Sequence, residues 1–127
     1  MEDRAILIGG ARAVIVPTTY LEPFGGVVVE AMLCGTPVIS TDFGAFPEIV
    51  VEGFNGYRFR TLGEAVSGVE KCATLDRKKI QEWAQNNYSM ERIRYLYQAY
   101  FEQLLTLWCK GFYTETSTEE YQRYMKK

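Results

Sequence analysis

Glu22-Pro23-Phe24-Gly25-Gly26-Val27-Val28-Val29-Glu30-Ala31-Met32-Leu33-Cys34-Gly35-Thr36-Pro37-Val38-Ile39 is the stretch that decides how this 127-residue chain is read. It holds two carboxylates with seven residues between them and a Gly-Gly pair inside the interval. On its amino-terminal side, Ala13-Val14-Ile15-Val16 is a short β-branched run closed by Pro17; on the other, Pro37-Val38-Ile39-Ser40-Thr41 is a second. Both have the length and composition of buried parallel strands. The valines between them would also suit a strand, but the spacing between the two flanking strands and the run Glu30-Ala31-Met32-Leu33, closed by Gly35, predict a helix over residues 27–33. A strand, a glycine turn, a helix and a strand then follow one another, with Glu22 in the turn and Glu30 on the second helical turn.

Outward from this unit the alternation continues. A third strand, Gly56-Tyr57-Arg58-Phe59-Arg60, is expected after the turn Glu52-Gly53-Phe54-Asn55, and residues 3–9 read as a helix feeding the first strand. The order α-β-α-β-β-α suits an α/β fold, one half of a Rossmann-like doubly wound parallel sheet of about three strands. After Thr61 the pattern turns helical, over residues 62–75 and 76–87. From Met90 onward Ile93, Leu96, Tyr97, Tyr100, Phe101, Leu104, Leu107 and Trp108 form one stripe, read as packing surface. The expected organisation is a partial Rossmann-like domain over residues 1–113 and a helical tail over residues 114–127, whose Ser/Thr-to-Glu spacings resemble an N-terminal cap.

Composition narrows the function classes. The chain is one domain long, too short for two lobes with a cleft between them. With a net charge of -2 and a pI near 5.2, it offers no basic field for nucleic acid. Cys34, Cys72 and Cys109 are odd in number, widely spaced and unaccompanied by histidine, which fits buried thiols better than a zinc site or a disulfide framework. No apolar run reaches the roughly 20 residues of a transmembrane helix, and the chain opens with acidic residues where a signal peptide carries basic ones, so a cytoplasmic location is expected.

The central stretch also carries a chemistry. Backbone N–H groups at a helix start near Gly25 and Gly26, approachable because neither residue has a side chain, form an anion site strengthened by the helix dipole. Carboxylates beside it are poor phosphate ligands but good acceptors for hydroxyls. A diphosphate with a ribose on one side and a sugar on the other, a nucleotide sugar, fits that arrangement.

The E-x7-E pattern with Pro-Phe-Gly after the first glutamate resembles the retaining GT-B glycosyltransferases, a family that includes sucrose-phosphate synthases and lipid mannosyltransferases. The ordered set of matches runs from Val16-Pro17-Thr18 through the Cys34-to-Ile39 run and the glycine loop Gly44-Ala45-Phe46-Pro47-Glu48-Ile49-Val50 to Asn55-Gly56. This resemblance covers residues 5–107 and implies the carboxy-terminal, donor-binding domain of such an enzyme. It further implies that Glu22, the candidate catalytic residue, accepts hydrogen bonds from the donor sugar and that Glu30 accepts them from the ribose. Amides around Phe24, Gly25, Gly26 and Val27 would hold the diphosphate. Gly44 and Glu48 remain open as further ligand contacts. No protein metal site and no cofactor beyond the donor are implied, and the anomeric configuration is kept, the departing phosphate helping to deprotonate the acceptor.

Against that pattern, the arginine and lysine that neutralise the diphosphate in similar enzymes have no counterpart: the cations before Arg58 are Arg4 and Arg12, and Arg12 belongs at the far end of the first strand. An acceptor-binding amino-terminal lobe is not present either. The chain therefore reads as a hexosyltransferase fragment, inactive alone, that needs that lobe or a second subunit, with a homodimer as one expectation. The alternative is a non-catalytic nucleotide-sugar-binding or protein-interaction module.

Overall fold

The computed structural model describes residues 2–110, and the expected tail helix at residues 114–127 lies outside them. In chain order the elements are α1 (Glu2–Gly10), β1 (Val14–Val16), α2 (Gly26–Leu33), β2 (Val38–Thr41), α3 (Phe46–Ile49), β3 (Gly56–Phe59), α4 (Leu62–Cys72), α5 (Arg77–Tyr88) and α6 (Met90–Lys110). They fall into two compact units that divide between Asn86 and Asn87.

In the first unit the three strands form one parallel sheet in the order β1-β2-β3. Val14 pairs with Val38 and Val16 with Ser40, while Val38 pairs with Gly56 and Thr41 with Phe59. Parallel neighbours need crossovers over the sheet faces, which α2 supplies between the first two strands. The chain is thus an α/β fold with a three-stranded parallel sheet flanked by helices, the Rossmann-like arrangement expected of half a doubly wound sheet. β2, the central strand, is buried at all four positions. Its Ile39 packs with Ala65 and Cys72 of α4, and Ala13, Tyr57, Phe59, Val69 and Leu75 close around them. By the alternation of a strand, Val38 and Ser40 turn to the opposite face.

Local sequence explains where the helices begin and end. α2 adopts a helix despite three consecutive valines because Val28, Ala31 and Met32 are wholly buried and a Schellman motif ends it: Thr36 N–H donates to Ala31 and Gly35 N–H to Met32. α4 begins with a capping box in which Thr61 and Glu64 satisfy each other's backbone N–H groups. α3 adds a helical turn that the sequence reading left within a glycine loop. It is anchored by Phe46 and Ile49, both buried, and has Pro47 in its first turn.

The second unit contains α6, which begins with the Ser89 hydroxyl accepting the Arg92 N–H. Along it the Tyr97 and Phe101 rings, four residues apart, stack at 6.1 Å and the adjacent Tyr100 and Phe101 rings meet at 5.7 Å. Tyr97, Tyr100, Phe101, Leu104 and Trp108 of the stripe read as packing surface are exposed. Among the described residues no helix is long and apolar enough to cross a membrane.

The turn between α3 and β3 depends on one buried amide. Asn55, with no solvent exposure, accepts the Val51 N–H at 2.8 Å and donates to the Ile49 carbonyl at 3.0 Å. Asn55→Ala strips both groups of their partner, so we expect a loss of about 2–6 kcal/mol, at roughly 1–3 kcal/mol per stranded group, toward the lower end because Val51 is partly exposed. Urea denaturation measures it, and an unchanged midpoint would show that the turn holds without this side chain.

Candidate functional site

Two loops leave the carboxyl ends of β1 and β2 and meet, as loops at adjacent parallel strand ends do. The Thr41 hydroxyl donates to the Thr18 carbonyl at 2.6 Å, tying them at their base. Farther out, the Ala45 N–H donates to the Glu22 carbonyl at 2.8 Å. The contact is close enough that a Cβ on Gly44 would lie 2.3 Å from both the nitrogen and the oxygen of Glu22, and Gly44 has a positive φ of 62°. Only glycine meets both conditions.

Glu22 itself, half-buried, is held from two sides. Its Oε2 accepts the Tyr20 hydroxyl at 2.7 Å and its Oε1 accepts the Gly25 N–H at 3.0 Å. The Tyr20 hydrogen bond first, and the Gly25 N–H second, lower its carboxyl below the ordinary glutamate value. The same bond raises the Tyr20 phenol, since each partner favours the form that the hydrogen bond stabilises.

Gly25 is the residue preceding α2, in the left-handed region at φ 79°. A Cβ there would stand 2.8 Å from Phe46 Cε1, so the residue that precedes the helix sits directly against α3. No side chain caps α2, and helix geometry leaves the N–H groups of Gly26 and Val27 without an intrahelical acceptor. Gly26 has open space where a Cβ would be, and Phe24 and Val27 are about half exposed. These amides stand where the sequence reading expects an anion-binding element, with the positive end of the helix dipole behind them.

Glu30 lies one turn along α2, and its Oε2 is engaged by Arg4 of α1. Both side chains are largely exposed, at 60% and 47%, so the pair adds little stability. The structure thus brings Glu22, Gly25 and the Gly44 loop into direct contact and leaves Phe24, Gly26 and Val27 facing outward at the helix start. Glu30 is held separately, by a cation that the sequence reading named without assigning it a partner. Tyr20 was missed, although two residues apart in an extended segment place side chains on one side. The role of Ala45 as a donor had no sequence signal, because any residue but proline carries an N–H.

A separate polar hollow of about 160 Å³ lies over the end of β3, lined by Asp42, Glu52, Arg58, Phe59, Arg60 and Glu64. Its charges are engaged within the chain: Arg58 and Arg60 with Asp42, Arg58 with Glu52, and Glu64 with the Arg60 and Thr61 N–H groups. The uncapped helix start is therefore the better candidate for a ligand.

Comparison with known proteins adds a finding from outside the structure. Residues 1–90 match the family model of the group 1 glycosyl transferases. Sucrose synthase 2 of Tulipa gesneriana is 33% identical over 105 residues, and sucrose synthase isoform 1 of Daucus carota is 36% identical over 109. Each alignment takes in 79% of this chain and 13% of the relative. A phosphatidyl-myo-inositol mannosyltransferase of Propionibacterium freudenreichii is 39% identical over 66 residues, half of this chain and 17% of the relative. The chain thus spans about an eighth of the length of the sucrose synthases it matches.

The Tyr20–Glu22 bond makes a directional prediction. Glu22 has a lowered folded pKa, so its contribution to stability is present above the ordinary glutamate value and is lost as pH falls through the lowered one. Tyr20→Phe removes the larger cause, and the Glu22 carboxyl, followed by carbon-detected NMR, should titrate at higher pH than in the unsubstituted chain. An unmoved titration would mean that the phenol does not hold the carboxylate in solution.

Proposed function

The chain belongs to the group 1 glycosyl transferases, and on that premise we propose that it is the donor-binding part of a retaining GT-B enzyme that moves a hexose from a nucleoside-diphosphate sugar to an acceptor. The observation that carries this reading is the start of α2, where the Gly26 and Val27 amides, which have no intrahelical acceptor, and a helix dipole lie between Glu22, fixed at the turn, and Glu30 one turn on. The diphosphate rests on the N–H groups around Phe24, Gly25, Gly26 and Val27. Glu22 accepts hydroxyls of the hexose and Glu30 those of the ribose through Oε1, the oxygen that Arg4 leaves aside.

In this reading the chain acts by positioning and by electrostatic stabilisation. Amide dipoles are already oriented where charge grows on the departing diphosphate, which lowers the barrier without reorganisation. Configuration is retained because the acceptor approaches the face the diphosphate leaves, where a phosphate oxygen takes its proton. The acceptor site, and the cations that complete diphosphate neutralisation, come from an amino-terminal lobe or a second subunit, which can be another copy of this chain. The expected setting is the cytosol, in keeping with Cys72, a free thiol that burial pushes up to about 11 and so keeps protonated.

Calorimetric titration with UDP and UDP-glucose, and the corresponding GDP and ADP pairs, tests the assignment. Glu30→Ala should weaken both members of the recognised pair, whereas Glu22→Ala should weaken only the nucleotide sugar. Each lost charge-assisted hydrogen bond is worth about 1.5–3 kcal/mol, roughly 10- to 150-fold in Kd. Equal losses for both ligands in both variants would reject the division of roles. Gly26→Ala supplies a control on the diphosphate site: the methyl meets open space in the free chain, so stability should hold while affinity for both ligands falls. Binding without slow donor hydrolysis would favour the non-catalytic module.

A further inference from the structure

β3 carries an arginine whose side chain reaches both ends of the loop that rests on Glu22. Arg58 is only 25% exposed and Asp42 only 20%. Its Nε lies 3.6 Å from Asp42 Oδ1 and 3.4 Å from Glu52 Oε1, while its Nη1 donates to the Pro47 carbonyl at 3.2 Å. Asp42 and Pro47 bracket the connection from β2 to α3. Between them stand Gly44, whose backbone touches Glu22, and Ala45, whose N–H donates to the Glu22 carbonyl. Arg60 adds a forked pair of bonds to Asp42 Oδ2, at 3.0 and 2.6 Å. It is 74% exposed, however, and makes no bond to Pro47 among the described residues.

We propose that Arg58 is the positioning residue for Glu22, acting through the loop at residues 42–47. The loop has two ends, one following β2 and the other beginning α3. A single planar guanidinium that engages both fixes their separation, which a point charge cannot do. With the ends fixed, the Ala45 N–H and the bare Gly44 backbone set where the main chain of Glu22 lies, and hence where its carboxylate stands relative to Gly25. This follows from the contacts alone; its consequence for ligand binding rests on the donor reading above.

Two measurements separate the claims. In the ligand-free 127-residue chain, Arg58→Met keeps the aliphatic stem and removes the guanidinium. Amide hydrogen exchange followed by NMR should then quicken at least tenfold at Ala45 and Gly25, with Met32 inside α2 changing by less than twofold. Arg60→Met should leave Ala45 within threefold. If Arg58→Met does not fold, Arg58→Lys serves instead, since an ammonium can meet Asp42 but cannot at the same time hold the Pro47 carbonyl. Unchanged exchange at Ala45 and Gly25, or equal acceleration at Met32, overturns the proposal.

In the ligand arm, affinity for UDP-glucose and UDP is measured in Arg58→Met, Glu22→Gln and the double variant. Arg58→Met should weaken UDP-glucose at least fivefold and UDP less than twofold, and add less than twofold once Glu22 is Gln. Multiplying losses in the double variant would mean that Arg58 acts elsewhere and would overturn the proposal. If Glu22→Gln leaves UDP-glucose binding unchanged while Arg58→Met still frees Ala45, the positioning role stands and the donor reading fails.

Discussion

The loop after β2 lies directly on the loop after β1, backbone to backbone, and the candidate site follows from that contact. Ala45 donates to the Glu22 carbonyl and Gly44 has no Cβ to hold the chains apart. α3 starts immediately afterwards, which places Phe46 under Gly25. Gly25 in turn sets the entry into α2 and donates to the Glu22 carboxylate. A side chain at either glycine would separate the two loops and with them the carboxylate and the helix start. The approach is possible because β1 and β2 are adjacent and parallel, so both loops emerge on the same edge of the sheet.

The opposite edge is closed by different means. α1 ends just before β1, and the carbonyls at its end need donor partners. Arg77 of α5 supplies them, donating to the Gly9 and Ala11 carbonyls and to the Thr36 hydroxyl, and the Thr36 hydroxyl donates in turn to the Ile8 carbonyl. One arginine thus joins α1, the turn before β2 and α5. At the other end of α1, Arg4 reaches Glu30. α1 therefore runs from the edge of the candidate site, where Arg4 meets Glu30, to the opposite edge, where the Ile8 carbonyl meets Thr36. Arginines hold both edges for the same reason: a forked donor satisfies several carbonyl or carboxylate oxygens from one stem.

Much of this was legible in the residues. Val14–Val16 and Val38–Thr41 are short, β-branched and bounded by proline, which marks both as strands. β2 is buried as expected. β1, expected to be buried, is not, because no fourth strand or helix among the described residues covers Ile15, which is 52% exposed. Val28, Ala31 and Met32 sit at helical spacing under an end signal at Gly35, which is why the valines did not become a strand. α3 was not legible as a helix. Four residues are too few for a periodic signal, and the turn persists because Phe46 and Ile49 are buried by parts of the chain distant in sequence. Glu22 and Glu30 could be placed on loop and helix, but not their partners. Tyr20 was within reach of a local argument, whereas Arg4 is 26 residues from Glu30.

By itself the sequence determined the types of the elements other than α3, the parallel sheet of about three strands and the position of the Gly-Gly turn between two carboxylates. These follow from periodicity, chain-reversal signals and the short length of each connection, all of which are local. Tertiary structure alone decided which backbones touch and which charges meet. Gly44 needs to be glycine because Glu22 lies 2.3 Å from where its Cβ would be, and nothing near residue 44 in the chain carries that information. Arg58 reads as an ordinary strand residue until the sheet brings Asp42, Glu52 and Pro47 around it. Contacts of this kind depend on distance in space, and a linear pattern records only separation along the chain.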